Sequence, residues 1–151
     1  MPEQRMTHSK EVAQHGVAWE NAYGYAQAVK VGHTIYVSGQ LSHDASGALV
    51  GPAALDGSGR PKDFSAMALQ METTYANARR LLDHFGATFD QVVEETLYVL
   101  DVDAAFAVAG DVRRRVYGPT PRVASNLIGV SRLAFPEQLI EITYRVDLTI
   151  A

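Results

Sequence analysis

Leu139-Ile140-Glu141-Ile142-Thr143-Tyr144-Arg145-Val146-Asp147-Leu148-Thr149-Ile150 is the stretch on which the fold turns. Ile140, Ile142, Tyr144, Val146, Leu148 and Ile150 fall on one face, and Glu141, Thr143, Arg145, Asp147 and Thr149 fall on the other. Successive side chains of a strand point to opposite faces, so this strict period of two predicts a long strand with one apolar and one polar side.

Working back from it, Val123 to Leu133 reads as a further strand, separated from the last by Phe135-Pro136-Glu137. Before that, Asp103 can cap a helix that runs to Tyr117 and stops at Gly118 and the Pro119-Thr120-Pro121 break. Val92 to Leu100 is rich in Val, Thr, Tyr and Leu and reads as a strand. From Ser65 to Phe85, the residues Met67, Met71, Tyr75, Ala78, Leu82 and Phe85 recur three or four apart, and Gly86 follows as a left-handed cap, which predicts a long amphipathic helix. Gln40 to Lys62 is rich in Gly, Asp, Ser and Pro and reads as a long loop with a short extended piece at Ala48 to Val50. Tyr25 to Val31 and Thr34 to Val37 flank Gly32-His33 and read as a hairpin, while residues 1–18 show no sustained pattern and are expected to be irregular.

This order predicts a single α+β domain over 1–151, one mixed sheet with two helices layered on one face. The other sheet face, carrying the polar side of the last strand, is then shown to water or buried against copies of the same chain.

The 151 residues are 47% apolar, enough for one core, and contain no cysteine, which excludes disulfides, thiolate metal sites and cysteine nucleophiles. No stretch approaches a membrane span or a signal sequence, so a cytoplasmic location is expected. With a net charge of −4, the run Arg113-Arg114-Arg115 is too isolated to bind a phosphate backbone. It suits the negative end of the helix that it closes. Nucleic acid is therefore not expected as the main partner. The five histidines, His8, His15, His33, His43 and His84, have no ligand spacing, and no metal site is expected.

Five blocks, Tyr23 to Val29, Ile35-Tyr36-Val37-Ser38-Gly39-Gln40, Leu97-Tyr98-Val99-Leu100-Asp101, Gly129-Val130-Ser131-Arg132-Leu133 and Leu139-Ile140-Glu141-Ile142, resemble in order and spacing the Rid family of YjgF-like reactive intermediate deaminases, also known as endoribonuclease L-PSP-like proteins. The resemblance implies a homotrimer whose three sheets face one another as a central barrel, with small-molecule clefts between subunits. It also implies hydrolytic deamination of imines or enamines without metal or cofactor. It assigns the catalytic carboxylate to Glu141 and cleft-lining roles to Tyr25, Ser38, Gly39 and Tyr98. By pattern alone, the plainer reading of Glu141 as a polar-face residue like Thr143 and Arg145 is the favoured one, and it is the resemblance that reverses it.

Archetypal members grip the substrate carboxylate with an arginine in a Pro-Ala-Arg-Ser/Thr block. A register set by Gly129-Val130 and Leu133 puts Ser125 at that position and Leu127 two further on, with Arg122 three residues earlier. Three residues along a strand is about 10 Å and the opposite face, so Arg122 substitutes only if the chain loops after it. The resemblance is thus to divergent branches of the family. A non-catalytic ligand-binding or regulatory trimer is the alternative to a hydrolase. Endoribonuclease activity ranks last, because the chain is acidic and lacks an evident catalytic histidine pair.

Overall fold

The computed structural model describes Met1 and residues 4–151. In chain order its strands are β1 (Lys10–Ala13), β2 (Ala28–Val31), β3 (Thr34–Gln40), β4 (Val92–Val99), β5 (Ala124–Gly129) and β6 (Ile140–Asp147), and its helices are α1 (Ala18–Tyr23), α2 (Met67–His84) and α3 (Val102–Tyr117). One sheet takes all six strands in the order β1-β2-β3-β6-β4-β5. Only β4 and β5 run parallel, joined through α3 as a βαβ crossover; every other neighbouring pair is antiparallel. The architecture is the mixed-sheet α+β sandwich that the strand and helix periods predict.

Ile140, Ile142, Tyr144 and Val146 of β6 are buried, as are Met67, Met71, Tyr75, Ala78 and Leu82 of α2, and they join one core cluster. The helices thus cover the apolar face of the alternating strand. The apolar alternation outlasts the strand, because Oδ1 of Asp147 accepts from the backbone N–H and hydroxyl of Thr149 at 2.9 and 2.6 Å and turns the chain. Ile150 is consequently exposed. Among the described residues no helix is long and apolar enough to cross a membrane.

Four local expectations need correction. Residues 1–18 are not wholly irregular: Lys10–Ala13 forms β1 against β2, and only Ala13 of the four is buried. So short and exposed an edge strand has too few inward positions to show a period. Tyr25 lies ahead of β2 rather than within it. Asp101, not Asp103, caps α3, its Oδ1 accepting from the Ala104 N–H at 2.8 Å. The arginine run does more than complement a helix end: Arg113 reaches into the core, donating to Glu95 at 2.7 Å, while Arg114 and Arg115 pair with Asp111 and Glu72.

Candidate functional site

On the face of the sheet away from the helices, Glu141 is the second residue of β6 and sits directly across from Tyr98 of β4. On its other side, β3 bulges between Val37 and Gln40, which shifts the register and places Gly39 beside the Glu141 side chain. The absence of a side chain at Gly39 makes room for that carboxyl group: a Cβ there would meet Cδ, Cγ and Oε2 of Glu141. Glu141 is half-buried, and burial raises its pKa above the ordinary carboxyl value, opposed in part by the nearby Gln138 side-chain amide.

Glu141 forms part of an open pocket of about 740 Å³, within the size range of small-molecule sites. Tyr25, Ser38 and Gly39 line the same pocket. Ser38 has its hydroxyl committed to the Ala26 carbonyl at 2.8 Å, so it shapes the wall more than it offers a free donor. Burial pushes the Tyr25 phenol up, and it stays protonated.

The pocket also gathers residues that pattern reading did not single out: Trp19, Tyr23, Phe135 and Arg132. Trp19 packs edge-on against Phe135 with centroids 5.3 Å apart, and Tyr23 packs against Tyr25 at 5.4 Å. The Trp19 indole N–H is buried without a hydrogen-bond partner. Arg132 comes from the connection between β5 and β6. No local period singles it out, because its approach to Glu141 depends on where β6 lies in the sheet.

Ser125 and Arg122 lie elsewhere in the chain. Ser125 sits opposite Glu95 of β4, which in turn pairs with Tyr144, three residues along β6 from Glu141. An odd offset reverses the face, so Ser125 points to the helix side of the sheet, where it stays exposed on the edge strand, its hydroxyl donating to Glu95 at 2.9 Å and accepting from Arg113 at 2.6 Å. Glu95 is fully buried there and also accepts from Tyr75 at 2.7 Å and Tyr117 at 2.9 Å. Within the subunit Ser125 is thus turned away from Glu141: spacing gives its position along the strand, and the pleat decides its side. Arg122 lines a different hollow with Val92, Val93 and Tyr117. Val92 is six residues back along β4 from Tyr98, about 20 Å at strand rise. Among the described residues no three His, Asp or Glu side chains gather as a metal site.

A mixed six-stranded sheet with two helices on one face, an open second face and a glutamate-bearing pocket at the bulge of β3 defines a protein of the YjgF-type fold. The fold of Rv2704 from Mycobacterium tuberculosis, a YjgF/YER057c/UK114 family member, superposes with a TM-score of 0.71 at 24% identity, over 92% of this chain and 99% of that one. RidA from an Antarctic Psychrobacter gives 0.67 at 26% identity over 95% and 99%. A putative endoribonuclease of Thermotoga maritima gives 0.66 at 27% over 82% and 85%. The chain belongs to the endoribonuclease L-PSP family, the Rid/YjgF group, whose family model matches residues 16–147. No match is found among curated proteins.

Proposed function

We propose that this chain hydrolyses reactive imines or enamines of small carboxylated molecules, as a homotrimer whose clefts are completed by neighbouring subunits. The observation that carries the reading is one pocket holding both a half-buried glutamate with a raised pKa and a guanidinium, Glu141 and Arg132. Arg132 takes the substrate carboxylate by paired charge-assisted hydrogen bonds. Trp19, Tyr23, Tyr25 and Phe135 accept a flat or bulky apolar side chain.

Glu141 accepts a proton from water as the water oxygen bonds to the imine carbon, giving a carbinolamine. It returns that proton to nitrogen to complete the carbinolamine, then takes the hydroxyl proton and passes it to nitrogen as the carbon–nitrogen bond breaks, and a keto acid and ammonia leave. A carboxyl group whose pKa is raised toward the working pH serves in both directions. No cofactor enters this sequence.

Release of ammonia and phenylpyruvate from the imine that an amino-acid oxidase makes from phenylalanine tests the reading. The rate with protein should exceed the buffer rate, and Glu141→Gln should remove the excess; equal rates in all three reactions overturn it. Sedimentation at three times the 16.4 kDa chain mass is the expected assembly.

A second reading, a ligand-binding trimer without turnover, is favoured by one observation: the strand position of the archetypal clamp, Ser125, is tied to Glu95 and contributes no cation to the pocket. Saturable binding of phenylpyruvate with no excess ammonia release would select it.

A further inference from the structure

Behind the pocket, a file of side chains runs from Tyr25 into the protein. Nε2 of Gln27 donates to the Tyr25 hydroxyl oxygen at 3.0 Å, Nε2 of Gln40 donates to Oε1 of Gln27 at 2.9 Å, and Nε2 of His15 contacts Oε1 of Gln40 at 2.8 Å. Gln27 and Gln40 are both buried, so their amide groups cannot trade these partners for water.

The direction of this file is determined by one backbone group. Nε2 of Gln40 also donates to the carbonyl of Ser38 at 2.9 Å, and a carbonyl can only accept. Gln40 therefore presents its nitrogen to Gln27 and its oxygen to His15. Gln27 must then present its oxygen to Gln40 and its nitrogen to Tyr25. The Glu20 carboxylate, which accepts from the backbone N–H groups of His15 and Gly16, stands by the Gln27 amide and favours the same orientation. His15 is held below the ordinary imidazole range by burial, so at neutral pH it carries one proton, and that proton has to be on Nε2 to meet Gln40. Each donor in the file polarises the next.

At the pocket end the consequence is specific. The Tyr25 oxygen already receives a proton from Gln27, and the Trp19 indole N–H turns toward it as well, short of a full hydrogen bond. Its own hydroxyl proton is therefore left to point into the pocket it shares with Glu141 and Arg132.

We infer that Gln27 and Gln40, anchored by the Ser38 carbonyl and closed by His15, are positioning residues that hold the Tyr25 hydroxyl as a dedicated hydrogen-bond donor to the anionic part of the pocket's ligand. The inference rests on the small-carboxylate reading above for the identity of that ligand, but the direction of the file does not.

The test is a double-mutant cycle with Gln27→Met and Tyr25→Phe, using phenylpyruvate binding and imine hydrolysis as separate readouts, together with the tautomer of His15 by nitrogen-15 NMR. Gln27→Met should weaken phenylpyruvate binding and lower kcat/KM by about tenfold in the parent, the scale of one hydrogen bond to a charged acceptor, and by less than about twofold in the Tyr25→Phe background. A merely structural glutamine would cost the same in both backgrounds, and that result overturns the proposal. Gln40→Met should repeat the pattern more weakly. An Nδ1–H tautomer at His15 overturns the proposal whatever the ligand results. Normal coupling in binding with no turnover supports the file and overturns only the hydrolase reading. A parent protein that neither binds nor turns over overturns both.

Discussion

Gly39 and Glu141 share one space between β3 and β6: a Cβ on residue 39 would lie 2.6 Å from Oε2 of Glu141. The atoms it would displace are the far end of a flexible side chain, and the Gly39 backbone is outside the left-handed region. Gly39→Ala should therefore leave unfolding free energy within about 1 kcal/mol of the parent. It should lower the hydrolysis rate about 100-fold by moving the carboxyl group from its place. Urea unfolding and ammonia release on the same sample check both halves, and an active Gly39→Ala would dissociate Gly39 from the site.

The raised pKa of Glu141 has a sign that can be measured twice. As the proton acceptor, Glu141 acts when ionised, so the rate should rise with pH through a midpoint above the usual carboxyl range, and Glu141→Gln should flatten that limb. Stability runs the other way. The folded state holds this proton more tightly than the unfolded chain does, so ionising Glu141 lowers stability as pH climbs from its ordinary value of 4.5 through the folded midpoint. Glu141→Gln should melt higher than the parent at neutral pH and equal to it below the ordinary carboxyl range, as read by calorimetry across pH.

These two residues also show what the amino-acid sequence makes legible. The period of two in β6 identifies the strand, its buried side and the exposed side of Glu141, because alternation on a half-buried strand is a local consequence of backbone geometry. The partners of Glu141 were harder to read. Arg132, Trp19 and Phe135 sit in a loop and a short helix whose approach depends on where β6 lies in the sheet, and no local period encodes that. The side taken by Ser125 is hard to read for a related reason. Its position along β5 follows from spacing, but its side of the sheet follows from the pairing that sets it opposite Glu95, and no local pattern encodes that pairing.

Glu95 should prove a stability residue and not a site residue. Its carboxylate collects Arg113, Ser125, Tyr75 and Tyr117 beneath the helices, with no side-chain exposure of its own. Burial, and then the charge of Glu95, push both tyrosines up, so they remain donors to it. Glu95→Ala leaves two phenols without an acceptor and a partly buried guanidinium without its carboxylate, and should cost about 3–5 kcal/mol in urea unfolding. Glu95→Gln should cost less. Activity per folded molecule should be unchanged, because the pocket is on the opposite face.

Arg132 and Arg122 offer the sharpest contrast for the pocket itself. Only Arg132 shares a pocket with Glu141; Arg122 lines the hollow at the far end of β4 within the same subunit. Arg132→Ala removes the charged donor to the substrate carboxylate and should weaken binding by about 2 kcal/mol, roughly thirtyfold, seen chiefly in KM. Arg132→Lys should recover part of that loss, since an ammonium keeps the charge but not the fork that meets two carboxylate oxygens. Arg122→Ala should leave KM where it was. The reverse pattern, with Arg122→Ala crippling and Arg132→Ala silent, would mean that the substrate carboxylate is gripped by a neighbouring subunit's Arg122 across the trimer boundary and that Arg132 only borders the entrance.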